Sequence, residues 1–256
     1  MDVRHRIQLA VATADWVLRG IGLASTLLLV GASAVPHHPP VLWAWERTEV
    51  LNTMPLSFDV AAVVGFIRLE GGTVTVARGR RFPLMLREGA HQPTGVVHIE
   101  IDQTRPLLWT EGLRAEVVGA VLAFMRPYAA VQVDMEVRDS QRVALLDVLR
   151  GVRAGRPPGT TLSMTALASW CDTEHWLAAA PVDEIVPMLF RMGPSGARLQ
   201  DKLARGGDFG EPWCRQALGI STDTPVAIPQ GRRVYVFNPH PWDAGAVAAL
   251  EQRGFR

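Results

Sequence analysis

The sequence predicts an α/β protein, a compact (β/α)8 TIM-like barrel that is somewhat irregular between its first and third strands. Eight strand-like segments follow one another along the chain, and segments of helical period separate most of them. Two of the strands carry carboxylates at alternate positions, which is costly in a buried parallel sheet unless the carboxylates line a polar cavity. Closed barrels have such a cavity at the carboxyl ends of their strands.

An open, doubly wound sheet is the alternative architecture for the same order of strands and helices. Such sheets commonly bind nucleotides through glycine-rich turns after a strand. No GxGxxG or GxxxxGK[ST] run follows any predicted strand here, so the barrel is favoured.

The first part of the domain predicts strands without helices between them. Residues 41–46 form the first strand and end in Glu46, and residues 60–69 form an apolar second strand. Two glycines at 71–72 make a turn, after which the alternating residues 73–77 form a hairpin arm. No helical period precedes the third strand, and this is the expected irregularity.

The third and fourth strands repeat one pattern, in which every second residue is apolar. They cover residues 95–102 and 130–137 and are joined by a helix over residues 114–128. Their polar faces comprise His98, Glu100 and Asp102 on the third strand and Gln132, Asp134 and Glu136 on the fourth. The pattern predicts that both strands direct carboxylates to the same side of the sheet.

The second half of the chain alternates regularly between helices and strands. Predicted helices cover residues 141–154, 172–180, 196–204 and 244–253, and predicted strands cover residues 161–170, 184–192, 218–223 and 233–238. Pro157-Pro158-Gly159 ends the first of these helices, and Asp172 is predicted to cap the second.

The N-terminus predicts export. Within residues 1–34, arginines precede an apolar run at 21–30, and the small residues Ala32-Ser33-Ala34 suit a signal peptidase. An uncleaved N-terminal anchor is the alternative, and it would be the protein's only contact with a membrane. Residues 35–40 are a predicted linker and residues 41–256 a single domain, located in the periplasm or outside the cell.

Charge and cysteine content exclude several classes of partner. Lys+Arg 26 against Asp+Glu 25 gives a net charge of +1 with no basic stripe, which argues against nucleic acid. The two cysteines form no CxxC pair, and neither a structural zinc nor a cofactor is predicted. Export favours a Cys171–Cys214 disulfide over two free thiols, and such a loop contributes roughly 4 kcal/mol in the chain-entropy model.

The carboxyl ends of the strands are the expected site, because function collects there in barrels. Carboxylates, aromatic residues and an arginine on one rim are typical of a carbohydrate site, with Glu136 as general acid and Asp134 as its supporting carboxylate. Trp170 and Trp242 are predicted to stack on sugar rings, whereas Trp43, Trp45 and Trp109 are assigned to the core. The predicted substrate-binding residues are Glu46, Glu100, Asp102, Trp170, Arg191, Asp223, Asn238 and His240.

Two other roles stay open for these polar residues. Paired carboxylates on one strand can be bound by arginine or lysine in a structural network inside the barrel. His98, Glu100 and Asp102 are also potential metal ligands, although side chains two apart on one strand rarely converge on one ion.

Several separate motifs resemble the bacterial family of unknown function DUF3142. They are WAWER (43–47), VQVDMEV (131–137), LSMTALASWC (162–171), VPMLFRMG (186–193), CRQALGISTD (214–223) and VYVFNPHPW (234–242). The resemblance runs from about Leu42 to the C-terminus and implies no particular activity.

A looser likeness links the fourth strand to chitinase-type glycoside hydrolases, whose fourth strand carries alternating acids and ends in a catalytic glutamate. Gln132-x-Asp134-x-Glu136 is similar in layout, with Gln132 in place of the first acid. The likeness implies that Asp134 supports the sugar intermediate while Glu136 protonates the leaving oxygen. The expected function is therefore glycoside hydrolysis or related glycan processing, and the alternative is a non-catalytic glycan-binding or envelope structural protein on the same barrel.

Overall fold

The structure is a computed structural model that describes residues 38–193 and 196–255. The predicted export segment, residues 1–34, and residues 35–37 of the predicted linker lie outside the described residues. Across the part that is described, no helix has the length and apolar character needed to cross a membrane.

Eight parallel strands close into a barrel, which confirms the fold predicted from the sequence. In chain order the strands are β1 (Val41–Ala44), β2 (Glu49–Leu51), β3 (Asp59–Glu70), β4 (Thr73–Gly79), β5 (Leu84–Leu86), β6 (Thr94–Ile101), β7 (Ala130–Asp134), β8 (Thr161–Leu167), β9 (Glu184–Met188), β10 (Ala217–Ser221) and β11 (Arg233–Phe237). The barrel consists of β1, β3 and β6 to β11, and it closes because β1 pairs with both β3 and β11.

Helices follow most of the later strands, as the sequence predicts, although the helix after β8 does not have its predicted bounds. They are α1 (Glu111–Met125), α2 (Arg142–Gly155), α3 (Ala168–Asp172), α4 (Gly196–Ala204) and α5 (Ala244–Gln252). The helix α1 begins earlier than predicted because the hydroxyl of Thr110 accepts a hydrogen bond from the backbone N–H of Leu113 and caps the helix. Its apolar residues recur every four positions and are buried against the barrel.

The irregular region between the first and third barrel strands contains extra strands instead of helices. The strand β4 pairs antiparallel with β3 as the predicted hairpin arm, while β2 and β5 form a small two-stranded sheet that the sequence analysis missed. The register of β3 shifts between Val63 and Gly65. A side chain at Gly65 would meet the ring of Phe124 at 2.6 Å, so only glycine fits this bulge.

The segment after β8 differs from its prediction. The strand ends at Leu167, and Trp170 lies within α3 instead of at a strand end. Asp172 is the last residue of α3 and caps no helix over residues 172–180, where only a 3-10 turn, Trp176–Ala179, forms. The run from residue 162 to residue 171 is mostly buried, and periodicity cannot separate a buried strand from a buried helix over so few residues.

The predicted disulfide is present. Cys171 at the end of α3 is bonded to Cys214 in the segment before β10, with the two Cα atoms 5.8 Å apart and a sequence separation of 43. Both cysteines are fully buried. A buried structural disulfide of this kind is typical of proteins that fold in an oxidising compartment.

The interior of the barrel is apolar around one polar contact at its centre. The side chains that fill it are Val41, Trp43, Ala61, Val63, Val96, Val186, Ala217, Tyr235 and Phe237. Among them lies the fully buried Gln132, which accepts a hydrogen bond from the indole of Trp43 at 2.9 Å and donates one to Ser163 at 3.2 Å. Gln132 is thus satisfied within the core, as a buried amide must be.

Candidate functional site

The polar face of β7 leads from the centre of the barrel to its rim. Gln132 is fully buried, Asp134 is 7% exposed and Glu136 is exposed. Strand pairing ends at Asp134, but Met135 and Val137 are buried among the outer core residues. The alternation therefore continues beyond the strand and directs Glu136 towards the mouth of the barrel.

Asp134 and His98 form a hydrogen-bonded pair below the rim. The parallel register of β6 and β7 places them side by side, and Nδ1 of His98 lies 2.7 Å from Oδ2 of Asp134. The other carboxylate oxygen accepts a hydrogen bond from the hydroxyl of Thr165 at 2.5 Å. Both oxygens of Asp134 are consequently occupied, which fixes the orientation of this carboxylate.

The pKa of His98 reflects two opposing effects. Burial disfavours the charged imidazole and lowers the pKa, but the hydrogen bond and charge of Asp134, with smaller contributions from Glu100 and Glu136, raise it further than burial lowers it. The net shift is upward, so the pair favours a protonated imidazole beside a carboxylate.

A first cleft, the acidic cleft, opens directly above this pair. It has a volume of about 400 Å³ and is lined by His98, Ile99, Glu100, Ile101, Gln103, Glu136, Val137 and Arg138. Glu100 and Glu136 each lie two residues beyond a member of the His98–Asp134 pair. Since neighbouring strands are about 4.8 Å apart, these two carboxylates are neighbours on the rim.

A second cleft, the aromatic cleft, lies across the mouth. It has a volume of about 260 Å³ and is lined by Trp45, Arg47, Phe190, Arg191, Ser221, Phe237, Asn238 and Pro239. Trp45, which the sequence analysis assigned to the core, is half-buried at this surface, and its ring centroid lies 6.3 Å from that of His98. Trp45 therefore lies between the two clefts.

Several of the predicted site residues lie at these clefts. Glu100 and Glu136 line the acidic cleft, and Arg191 and Asn238 line the aromatic cleft. The side chain of Asn238 is held in place, because its oxygen accepts a hydrogen bond from the hydroxyl of Thr222 at 2.8 Å.

Glu46 and Asp102 have local structural partners instead. Arg78 donates a hydrogen bond to Glu46, and this bond is the main reason why the pKa of the Glu46 carboxyl is lowered. Asp102 accepts hydrogen bonds from the backbone N–H and the hydroxyl of Thr104, at 2.8 and 2.6 Å, and so closes a turn. Neither residue lines a cleft.

Asp223 and His240 also lie outside both clefts. Asp223 accepts hydrogen bonds from the hydroxyls of Ser221 and Thr224 within its own loop. The side chain of His240 is exposed, and its backbone carbonyl accepts a hydrogen bond from Arg47. Both residues shape the loops of the mouth and lie beside the cleft surface.

The prediction that Trp170 and Trp242 stack on sugar rings is wrong for this structure, because both are buried. Trp170 is 4% exposed and packs against Trp176 with ring centroids 5.1 Å apart. Trp242 is fully buried, and its indole N–H donates to the backbone carbonyl of Trp43 at 3.0 Å. Proline and histidine around Trp242 suggested a loop, whereas its side chain is a core residue.

The most connected residue of the mouth, Arg47, was missed from sequence. Its guanidinium donates to the carbonyls of Asn238 at 2.8 Å and Pro239 at 2.9 Å, and to Glu49 at 2.9 Å. Glu49 is fully buried, and its burial raises the pKa of its carboxyl against the lowering effects of Trp242 and Arg47. In the sequence, the alternating charges of Glu46-Arg47-Thr48-Glu49 just after the first strand could have indicated that Arg47 forms ion pairs at the mouth.

Among the described residues, the structural network considered for the paired carboxylates of one strand does not include Glu136. Within residues 38–193 and 196–255, Glu136 forms no ion pair, so it belongs to no arginine or lysine network there. In the same ranges no three His, Cys, Asp or Glu side chains are grouped so as to hold a metal ion. Asp134, by contrast, is paired with His98.

Comparison with known proteins gave no match. No protein-family model, no curated protein and no solved structure matches this chain. The resemblances to the bacterial family of unknown function and to chitinase-type hydrolases accordingly stay predictions from the sequence, and the function has to be argued from the geometry of the mouth.

Proposed function

We propose that the protein processes a glycan at the mouth of its barrel, with Glu136 as the general acid of glycosidic-bond cleavage. The observation that carries this proposal is the acidic cleft, where Glu136 and Glu100 stand together on one rim beside the aromatic Trp45. Two carboxylates flanking one bond are the chemical requirement of most glycoside hydrolases. Aromatic side chains at the same opening offer flat apolar surfaces to sugar rings.

The residues divide the chemistry between them. Glu136 donates its proton to the glycosidic oxygen as the bond to the sugar carbon breaks, and Glu100 is the second carboxylate that acts on the sugar carbon directly or through water. Asp134 cannot reach outward, because His98 and Thr165 occupy both its oxygens. Its role is to fix the orientation of His98 at the floor of the acidic cleft.

A non-catalytic glycan-binding protein is the second candidate, and one observation favours it. Glu136 is exposed, whereas a general acid of a glycoside hydrolase commonly lies in an apolar pocket that keeps it protonated. Because a bound sugar would cover Glu136 in either case, binding alone does not separate the two candidates. They differ in whether the bound glycan is then cleaved.

The substitution Glu136→Gln separates the candidates. In the catalytic case we expect cleavage of the substrate glycan to fall by about 10²–10⁴-fold, since the amide keeps the shape but donates no acidic proton. Glu116→Gln, at an exposed position of α1, is the matched control and should cleave normally. The measurement is product release from a panel of bacterial glycans, beside denaturant melts of each variant. A parent protein that binds a glycan and cleaves none would establish the non-catalytic candidate.

We also propose that the protein acts in the periplasm or outside the cell, after export through its N-terminal segment. The buried Cys171–Cys214 disulfide supports an oxidising compartment. N-terminal sequencing of protein from the cell envelope should begin near Val35 if the segment is cleaved. Full-length protein in the membrane fraction would indicate an anchor, and full-length reduced protein in the cytoplasm would contradict export.

A further inference from the structure

The two clefts at the mouth differ in charge. The acidic cleft contains two carboxylates, those of Glu100 and Glu136, and beside them the guanidinium of Arg138 and the imidazole of His98. The aromatic cleft contains two guanidinium groups, those of Arg47 and Arg191, and among the described residues no carboxylate belongs to its lining. Two guanidinium groups without a carboxylate beside them favour a ligand that carries negative charge at the aromatic cleft.

Arg47 and Arg191 are used differently. Arg47 is fully engaged in holding the loop after β11 through three backbone carbonyls and Glu49. Arg191 is exposed, and among the described residues it donates no hydrogen bond and forms no ion pair. It is the cation in this cleft that is available to a ligand.

The backbone at Arg191 supports a functional role for its side chain. Its φ is 52°, a left-handed conformation that is unfavourable for a long side chain and is uncommon outside glycine and asparagine. Such local strain persists where surrounding structure imposes it and is concentrated at binding sites. The residue before Arg191 is Phe190, whose ring packs on that of Phe237 with centroids 4.7 Å apart. The left-handed backbone conformation then places Arg191 at the edge of the aromatic cleft.

We propose that the aromatic cleft binds an acidic sugar residue, a uronate, with its ring against Trp45 and Phe190 and its carboxylate paired with Arg191. The planar guanidinium suits a carboxylate because it donates two parallel hydrogen bonds. This inference rests on the proposed glycan function and names its substrate class. An acidic polysaccharide would then extend from the aromatic cleft across Trp45 to Glu136.

The test uses an oligogalacturonide and its methyl ester, which share ring, linkage and length and differ only in the carboxylate charge. Binding to the full-length protein is measured by calorimetry at low and at high salt. We expect the acid to bind at least tenfold more tightly than the ester at low salt, and the difference to shrink as salt screens the charges. A sugar phosphate oligomer in a third arm shows whether the site takes phosphate as readily as carboxylate.

The variant Arg191→Asn removes the charge with a residue that tolerates a left-handed backbone. It should weaken binding of the acid about tenfold and leave binding of the ester unchanged. The matched control is Arg126→Asn, at an exposed position at the end of α1 remote from the mouth, which should change neither.

The outcomes separate this inference from the function on which it rests. Equal binding of acid and ester, or an Arg191→Asn variant that binds the acid normally, would overturn the uronate site and leave glycan processing intact. If the sugar phosphate binds more tightly than the uronate, the group that the cleft prefers is a phosphate and not a carboxylate, and the proposed substrate class is overturned. Failure of every oligosaccharide, neutral or charged, to bind would overturn both proposals.

Discussion

At the scale of single residues, Asp134 sets the charge state of the floor of the acidic cleft. Its carboxylate is nearly buried, and its partners are a histidine and a threonine hydroxyl, with no arginine or lysine among them. An ion pair with histidine exists only when the imidazole is protonated, so the electrostatics beneath Glu136 depend on pH in the range where His98 titrates.

We expect Asp134→Asn to lower the pKa of His98. Burial of the imidazole would remain, while the hydrogen-bonded negative charge that outweighs it would be lost. NMR titration of the His98 ring protons measures the shift directly. Asp139→Asn, which removes an exposed carboxylate paired with Arg142, is the control and should leave the His98 titration unchanged. An unshifted titration in Asp134→Asn would mean that Asp134 does not set this pKa.

The same pair makes the stability of the fold depend on pH. Because the folded state raises the pKa of His98, its contribution is fully present below the unfolded pKa and is lost as pH rises through the folded pKa. Denaturant melts of the parent and of His98→Gln should therefore converge as pH increases through that range. A gap between them that widens with pH would contradict this sign.

At the scale of elements, the hairpin of β3 and β4 forms one wall of the mouth. Within the described residues the strand β4 pairs with β3 alone, and its residues are alternately exposed. Arg78 on this strand binds Glu46 just after β1 and lies 4.7 Å from the ring centroid of Phe66. These contacts fasten an otherwise open edge strand to the first strand of the barrel.

Arg78→Met should loosen this wall without unfolding the barrel. We expect a loss of about 1–2 kcal/mol in unfolding free energy, because Glu46, only 13% exposed, would keep its charge without its main partner. Since that partner lowers the pKa of Glu46, the parent's advantage should disappear as pH falls through the folded pKa. Hydrogen exchange in β4 should accelerate. Arg81→Met, at a 62% exposed position near the same carboxylate, is the control and should change little.

The hydrophobic pattern of the sequence predicted helices and strands well where they do not depend on tertiary contacts. The helix over residues 196–204 has its predicted bounds, and alternating or continuous apolar runs placed all eight barrel strands to within a few residues. It failed at α3, where a buried apolar run is equally compatible with helix and strand, and at β2 and β5, which are too short to show a period. Such elements depend on contacts that only the closed barrel supplies.

The residues that line the two clefts were predicted in part, for a related reason. Glu100, Glu136 and Arg191 follow from strand ends alone, because the carboxyl ends of parallel strands meet at one rim. The exposure of Trp45 and the burial of Trp242 depend on how the first and last strands meet, which periodicity does not encode. Sequence therefore located the rim and assigned its aromatic surface to the wrong tryptophans.

At the scale of the whole molecule, the barrel closes through contacts between the two ends of the domain. The indole of Trp242 donates to the carbonyl of Trp43, which is 199 residues away in sequence, and the backbone N–H of Trp242 donates to the buried Glu49. The strands β1 and β11 pair beside these contacts. Closure of the barrel therefore depends on contacts that span almost the whole domain, and contacts so distant in sequence are expected to slow folding.

Trp242→Phe should destabilise the entire domain. We expect a loss of about 2–4 kcal/mol, because the smaller ring leaves a cavity and the carbonyl of Trp43 loses its indole donor. Fluorescence and circular dichroism melts should shift together if closure and folding are one cooperative event. Trp213→Phe, at a 52% exposed position, is the control and should shift stability by no more than about 0.5 kcal/mol. A Trp242→Phe variant that melted like the parent but no longer bound glycans would instead restore Trp242 as a stacking residue and refute its place in the core.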